Sequence, residues 1–218
     1  MISVILPTLN RPNQLIKCLQ MLKDSSKGDD VEVVTVIDRE DEATLERVIQ
    51  FSPFSPNIVT VDGHPDPVFK WNEGAKVARG NWLMLGADDL LWTRNWIAES
   101  LNTEGHHGFL AFRDNPRSDK AYEPHYMATR DWLKKYNGGV LCIPHYKHWY
   151  IDVEIASRAL RAGHYKVSRA ILPHKHYLFG TAPVDSTYDK AKPYYSDDCK
   201  IYAQRLEQCF PNDFESYL

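Results

Sequence analysis

The sequence predicts an α/β fold, a mostly parallel central sheet flanked by helices, on three observations. Short apolar runs alternate with amphipathic stretches through the first half; those runs are apolar at consecutive positions, not at every second one; and polar, mostly acidic residues follow their carboxyl ends. Strand–helix alternation is the pattern of a parallel sheet with crossover helices, and strands apolar throughout are strands covered on both faces.

Taken in order, ISVIL reads as a first strand followed by the helical PNQLIKCLQML; VEVVTVI as a second, followed by EATLERVIQF; NIVTV as a third, followed by PVFKWNEGAKVA; and NWLML as a fourth. In PVFKWNEGAKVARG the residues Val68, Trp71, Ala75 and Ala78 recur at helical spacing, with Gly80 expected as the C-cap. Beyond about residue 105 the rhythm breaks. GFLAF, EPHYMAT and GVLCIPHY read as further strands, HWYIDVEIASRALRAG as a helix ending at Gly163, KVSRAILPH as a strand pair, and DDCKIYAQRLEQCF as a last helical stretch. No internal repeat and no Pro/Gly/Ser-rich linker divides the chain, so one domain over residues 1–218 is expected.

With 218 residues, 43% of them hydrophobic, the chain can bury a core unaided. Its 26 basic against 29 acidic residues give a formal charge of -3, which excludes a protein that coats nucleic acid by bulk attraction. No run approaches the roughly 18 apolar residues of a membrane span, and MISVILPTLN lacks the basic start and cleavage site of a signal peptide, so a soluble cytoplasmic protein is expected. Cys18, Cys142, Cys199 and Cys209 form no C-x-x-C pair and read as reduced thiols in or near the core.

Ligands of open parallel sheets sit outside the carboxyl ends of the strands. There the sequence places Pro7, Thr8, Asn10 and Arg11 after the first strand, Asp38 after the second, Asp62 after the third, and Asp88 and Asp89 after the fourth. Asp62, in VDGHPD, suits a turn or a helix cap. Asp88 and Asp89 are different: adjacent like charges repel by roughly 4 kcal/mol at an effective dielectric of 20, so such a pair faces a cation or diverges in ionisation. No G-x-G-x-x-G follows the first strand and no G-x-x-x-x-G-K-[ST] occurs, which argues against dinucleotide dehydrogenases and P-loop NTPases. Acids in place of glycines point to phosphate held through magnesium or manganese.

Four segments in this order, SVILPTLNRP, VIDRED, WNEGAKVARGNWLMLGADD and YIDVEIASRALRAG, resemble the nucleotide-sugar-dependent glycosyltransferases of the GT-A fold, family 2 in particular, over about Ile2 to His176. The resemblance implies a Rossmann-like GT-A sheet with a nucleotide-sugar half (1–105), an irregular acceptor half (106–180) and a lid loop with a terminal helix (181–218). It implies that Thr8, Asn10, Arg11 and Asp38 frame the base and ribose, that Lys70 and Asn72 lie near the diphosphate, and that Asp88 and Asp89 match the last two acids of a D-x-D-type metal motif. Gly86 stands where that motif has its first acid. The family's last metal ligand, a His, would be His176, or else His174, which strand alternation puts on the same side.

The family's general base matches Asp152. The residues agree independently: Glu154 has Arg158 four positions on as a partner, whereas Ile155 and Ala156 follow Asp152 at helical spacing. His148, four residues before Asp152, would share its face. The segment Gly180–Asp198, polar and aromatic without periodicity, reads as a lid loop with Asp185 and Tyr188 as donor contacts.

The expected activity is a metal-dependent (Mn or Mg) inverting hexosyl or pentosyl transfer from a nucleotide-diphosphate sugar, a UDP-sugar foremost, to the hydroxyl of a glycan, a lipid-linked sugar or a hydroxylated base in DNA. Lys147, Arg158, Arg161, Lys166, Arg169 and Lys175 cluster with His145, His148, His164, His174 and His176, either as a diphosphate site with a solvated helix face or as a seat for an anionic acceptor. The alternative class is a GT-A-like domain that binds nucleotide or glycan without catalysis; Gly86 favours it, and Asp88, Asp152 and the H-x-H pair oppose it.

Overall fold

A computed structural model describes residues 1–63, 66–114, 122–175 and 186–216. The chain runs β1 (Ile2–Pro7), α1 (Pro12–Ser25), β2 (Val31–Asp38), α2 (Glu42–Phe51), β3 (Ile58–Val61), α3 (Pro67–Val77), β4 (Trp82–Leu85), α4 (Trp96–Leu101) and β5 (Phe109–Arg113). It continues through β6 (His125–Thr129), α5 (Arg130–Tyr136), α6 (Ile151–Arg161), β7 (Val167–Ile171), α7 (Ser186–Ala191), a 3-10 turn (Lys192–Tyr194) and α8 (Tyr195–Glu207). The strands form one sheet in the order β3-β2-β1-β4-β6-β5-β7. β1 pairs in parallel with β2 and β4, while β6 runs antiparallel to both its neighbours.

The apolar runs are continuous because both faces of the sheet are covered. Ile5, Val34, Val36, Leu83 and Leu85 face α3 and α6 through Val68, Trp71, Ile151 and Ile155. Val4, Leu6, Val33, Ile37 and Met84 face α1, α2 and α4 through Leu15, Leu19, Leu22, Val48 and Trp96. α3 lies so close to the sheet that a Cβ on Gly74 would meet Ile5 Cγ2 at 2.5 Å.

Several expectations yield to tertiary context. GVLCIPHY is no strand: residues 140–146 form an irregular buried segment, whose apolar side chains fill the core while side chains serve its carbonyls, Tyr126 donating to Leu141 O and Asn137 to Val140 O. α3 is capped at Ala78, not at Gly80; Gly80 is glycine because a Cβ there would lie 2.7 Å from Ser3 N. KVSRAILPH supplies one strand, β7, followed by an isolated bridge between His174 and Leu90. α6 starts at Ile151, and Gly163 follows its C-cap at φ 71°. From Ser186 onward the expected lid loop is helical. Cys18 and Cys142 are buried as expected, but Cys209 is exposed.

Candidate active site

The strand order reverses between β1 and β4, and there the carboxyl ends of the strands open into a cleft of about 390 Å³. It is lined by Thr8, Arg11, Lys70, Asp88, Asp89 and His174, together with Asp152, His148, Trp149 and Tyr150. Lys190, Ala191 and Tyr194, from α7 and the turn after it, also line it. A smaller recess beside it is lined by Asn10, Asp38, Glu40, Asp41 and Lys190 among others.

The adjacent acids answer their repulsion by separate pairing. Thr8 Oγ1 donates to Asp88 Oδ2 at 2.7 Å, while Arg11 (2.9 Å) and Gln14 (3.2 Å) donate to Asp88 Oδ1. His174 Nε2 lies 2.9 Å from Asp89 Oδ1, and the Arg11 guanidinium lies 3.7 Å from Asp89 Oδ2. Burial and then the charge of Asp89 push Asp88 up, against the pull of Arg11 and Thr8. Burial also pushes Asp89 up, but His174 and Arg11 outweigh it and hold that carboxyl low. The two acids therefore diverge, with Asp89 the firmly ionised one.

Gly86, which stands in place of a third acid, has a packing cause. A Cβ there would lie 2.8 Å from Ile5 O and 2.9 Å from both Leu6 Cδ2 and Val4 Cγ1, and its carbonyl accepts from Trp71 Nε1 at 2.8 Å. No side chain fits between β4 and β1 at this point.

Lys70, 2% exposed, donates to Asp38 Oδ2 at 2.5 Å and to Thr8 O at 3.3 Å. The other oxygen of Asp38, Oδ1, is buried with no hydrogen-bond partner among the described residues. Asn10, at φ 56°, donates its backbone N–H to Asp41 Oδ2 at 2.6 Å, while Asp41 Oδ1 caps α2 by accepting from Thr44 N at 3.2 Å. Asn72 departs from the expectation of a diphosphate contact. It does not line the cleft; its side chain donates to Cys142 O (2.8 Å) and accepts from Cys142 N (2.9 Å), because two positions past Lys70 the helix faces the irregular segment 140–146.

Glu154 is structural. Fully buried, it accepts from Arg158, from Arg205 of α8 and from Tyr146, while Asp152 in the same first turn lines the cleft. His148 precedes α6 and does not share a helical face with Asp152, yet it reaches the same cleft. Burial drives its imidazole down to about 4, so it is neutral near pH 7. Among the basic residues grouped by sequence, Arg158 is committed to Glu154, Arg161 donates to Cys209 O, and Lys147 lies over the Tyr194 ring; none of the six lines the cleft. Burial raises the Cys18 thiol to about 12, which excludes it as a nucleophile at neutral pH.

His176 and Asp185 lie outside the described residues; Tyr188 falls in α7, but its side chain is not among those described. It is His174, the second choice, that meets Asp89. Among the acids and histidines that line the cleft, two were not sequence candidates, Asp114 after β5 and His125 at the start of β6. An acid just past the apolar run FLAF, with Arg113 between them, was a usable signal for Asp114. None existed for His125, because strand direction is not written in the sequence.

The profile of glycosyl transferase family 2 matches residues 3–167, and the chain belongs to that family. Among curated proteins none matches significantly. A mannosyltransferase from Pyrobaculum calidifontis, solved with GDP-Man and Mn2+, superposes with a TM-score of 0.60 at 18% identity, over 78% of this chain and 54% of that one. TarS 1-349 of S. aureus gives 0.59 at 16%, over 78% and 59%. Glucosyl-3-phosphoglycerate synthase from Mycobacterium tuberculosis, solved with Mn2+, uridine-diphosphate-glucose and phosphoglyceric acid, gives 0.57 at 15%, over 81% and 72%. This chain thus spans little more than half the length of the first two. At these identities the likeness carries the GT-A fold.

Proposed function

We propose that the chain is a divalent-metal-dependent inverting glycosyltransferase that moves a sugar from a nucleotide-diphosphate sugar to an acceptor hydroxyl, with residues 1–105 carrying the donor, 106–180 the acceptor, and 181–218 supplying the cover and the terminal helix. The observation that carries this reading is the convergence on one cleft of the Asp88 and Asp89 pair from β4 and Asp152 from α6. One neighbour in fold holds GDP-Man and another uridine-diphosphate-glucose, so a UDP- or GDP-sugar is the leading donor. Four free cysteines suit a reducing cytoplasmic setting. Among the described residues, no helix is long and apolar enough to cross a membrane.

The residues present fit a divalent cation of the magnesium or manganese kind. Asp89 and His174 bring an oxygen and a nitrogen donor side by side, and Asp88 lines the same cleft. Among the described residues, no three such side chains form a group that could hold a metal by themselves; magnesium at a nucleotide site would take only one or two carboxylates from the protein. When bound, the ion neutralises the charge that develops on the departing nucleotide diphosphate. His174→Ala and Asp89→Asn should each weaken Mn2+-dependent binding of UDP or GDP by about tenfold or more in calorimetry, since loss even of a group that supports a metal ligand costs that much.

Asp38 Oδ1 would accept an N–H from the nucleobase in the recess beside the cleft, and Lys70 would hold Asp38 in place while adding positive charge near the diphosphate. Asp152 takes the proton from the acceptor hydroxyl as that oxygen bonds to the anomeric carbon from the face opposite the diphosphate; the bond from that carbon to the diphosphate oxygen breaks, and the configuration inverts. The helical cover, α7 and the turn after it, excludes water from the donor during transfer.

Nucleotide release from a panel of UDP-, GDP-, dTDP- and CMP-sugars, with and without Mn2+, tests the reading and names the donor. Metal-dependent release from one donor supports it. Tight nucleotide binding without release from any donor, whether glycans, lipid-linked sugars or hydroxymethylated DNA are added, supports the non-catalytic binding domain instead.

A further inference from the structure

We infer that Asp198, in the terminal helix α8, is a positioning residue: it holds residues 147–149 so that His148, Trp149 and the first turn of α6 with Asp152 face the cleft. Only the catalytic consequence rests on the transferase reading; the clamp itself is a statement about the fold.

Asp198 is 1% exposed, and its carboxylate takes three consecutive backbone N–H groups. Oδ2 accepts from His148 N at 2.9 Å and from Trp149 N at 2.8 Å; Lys147 N reaches Oδ1 at 3.1 Å and Oδ2 at 3.3 Å. Residues 147–149 belong to no helix or strand, so regular structure does not use these donors. Successive N–H groups converging on one anion form a concave nest, and buried charge-assisted bonds are the strong ones.

Two further contacts pin the same segment. Val68 N, at the start of α3, donates to Lys147 O at 3.4 Å, and Trp149 Nε1 donates to Ala191 O in α7 at 3.1 Å. The next residue, Tyr150, sits at φ 66°, a left-handed conformation that a bulky side chain adopts only where its surroundings over-determine it. That residue turns the chain into α6, whose first turn holds Asp152. The clamp lies one residue upstream of the strained position and fixes the direction from which the chain enters it. Asp198 therefore ties the chain that leads into the first turn of α6 to α8, a helix beyond residue 167, where the family match ends.

Two variants of the full chain, Asp198→Asn and Asp198→Ala, test this. The asparagine keeps one accepting oxygen and so should be the milder change. Hydrogen exchange needs no substrate: the amides of 147–149 should exchange about tenfold faster or more in the asparagine variant and faster again in the alanine variant, with β1 and β4 unchanged. On the donor that the wild type turns over, nucleotide release should fall about tenfold or more while donor affinity stays within about twofold, because misplacement of a reacting group affects turnover rather than donor binding. A generally damaged fold would instead lower binding and turnover together, and that result overturns the positioning role. Unchanged exchange at 147–149 overturns the clamp; loosened exchange with undiminished turnover overturns its catalytic consequence. If the wild type releases nucleotide from no donor, the transferase reading fails, and the exchange measurement alone decides the clamp. Should the alanine variant not fold, the asparagine variant carries both measurements.

Discussion

Asp152 and Glu154 stand two residues apart in one helical turn, yet one lines the cleft and the other is buried under two arginines and a tyrosine. The difference is rotational: about 200° of helix separates their side chains. Asp152→Asn should therefore lower turnover by ~10²-fold or more while leaving donor affinity nearly intact, measured by nucleotide release and calorimetry; unaltered turnover would sink the assignment. Gly86 makes the opposite point, that an apparent gap in an acidic motif can have a steric cause. Gly86→Asp should add no metal affinity and should cost about 1–3 kcal/mol, read as a lower urea midpoint, because its Cβ would press on the Ile5 carbonyl oxygen.

At the scale of elements, α3 is capped by Asp66, whose Oδ1 accepts from Val68 N at 2.8 Å and Phe69 N at 3.2 Å, and starts at Pro67. This is the N-cap and proline arrangement that a helix start favours. Burial nonetheless raises the Asp66 carboxyl to about 6, with Asp198 adding to the rise. The folded chain then binds a proton here between about pH 4 and 6 that the unfolded chain has released, so this site contributes less stability as pH rises through that window. Asp66→Asn should keep both cap bonds and flatten this part of the wild-type slope in melting-temperature curves; Asp66→Ala should cost about 1 kcal/mol through the lost cap. Equal slopes in the asparagine variant and the wild type would exclude Asp66 as the source. The alternation of strands and helices up to β4 is legible without coordinates, since each element carries its own period. Segment 140–146 is not, because a run of buried apolar residues reads alike as a strand and as a packed loop.

At the scale of the molecule, Glu154 ties α6 to α8, with Arg205 reaching on to Asp213 at 2.8 Å and Arg158 to Asn212 at 2.6 Å. The terminal helix is thus anchored to α6 and to residues 147–149 by this ion network and by Asp198. Glu154→Gln leaves the buried Arg158 guanidinium without a counter-charge and Arg205 with Asp213 alone, so it should destabilise the chain by about 3 kcal/mol or more in urea unfolding. A cost below about 1 kcal/mol would mean that the network is dispensable.

The sequence by itself determined the parallel half of the sheet and the collection of Thr8, Arg11, Asp38, Asp88 and Asp89 along one edge of it. Both follow from local periodicity and from the rule that side chains at the ends of parallel strands share a side. It also marked Glu154 as paired, since Arg158 lies one helical turn away. Tertiary structure alone decided that His174 meets Asp89, that Lys70 is spent on Asp38, that Asn72 serves the backbone of Cys142 and that His125 reaches the cleft. Apart from His125, whose strand direction is unwritten, these are pairings between groups 32 to 85 residues apart in the chain. Periodicity reports which way a residue faces along its own element; which partner it finds depends on how the elements pack.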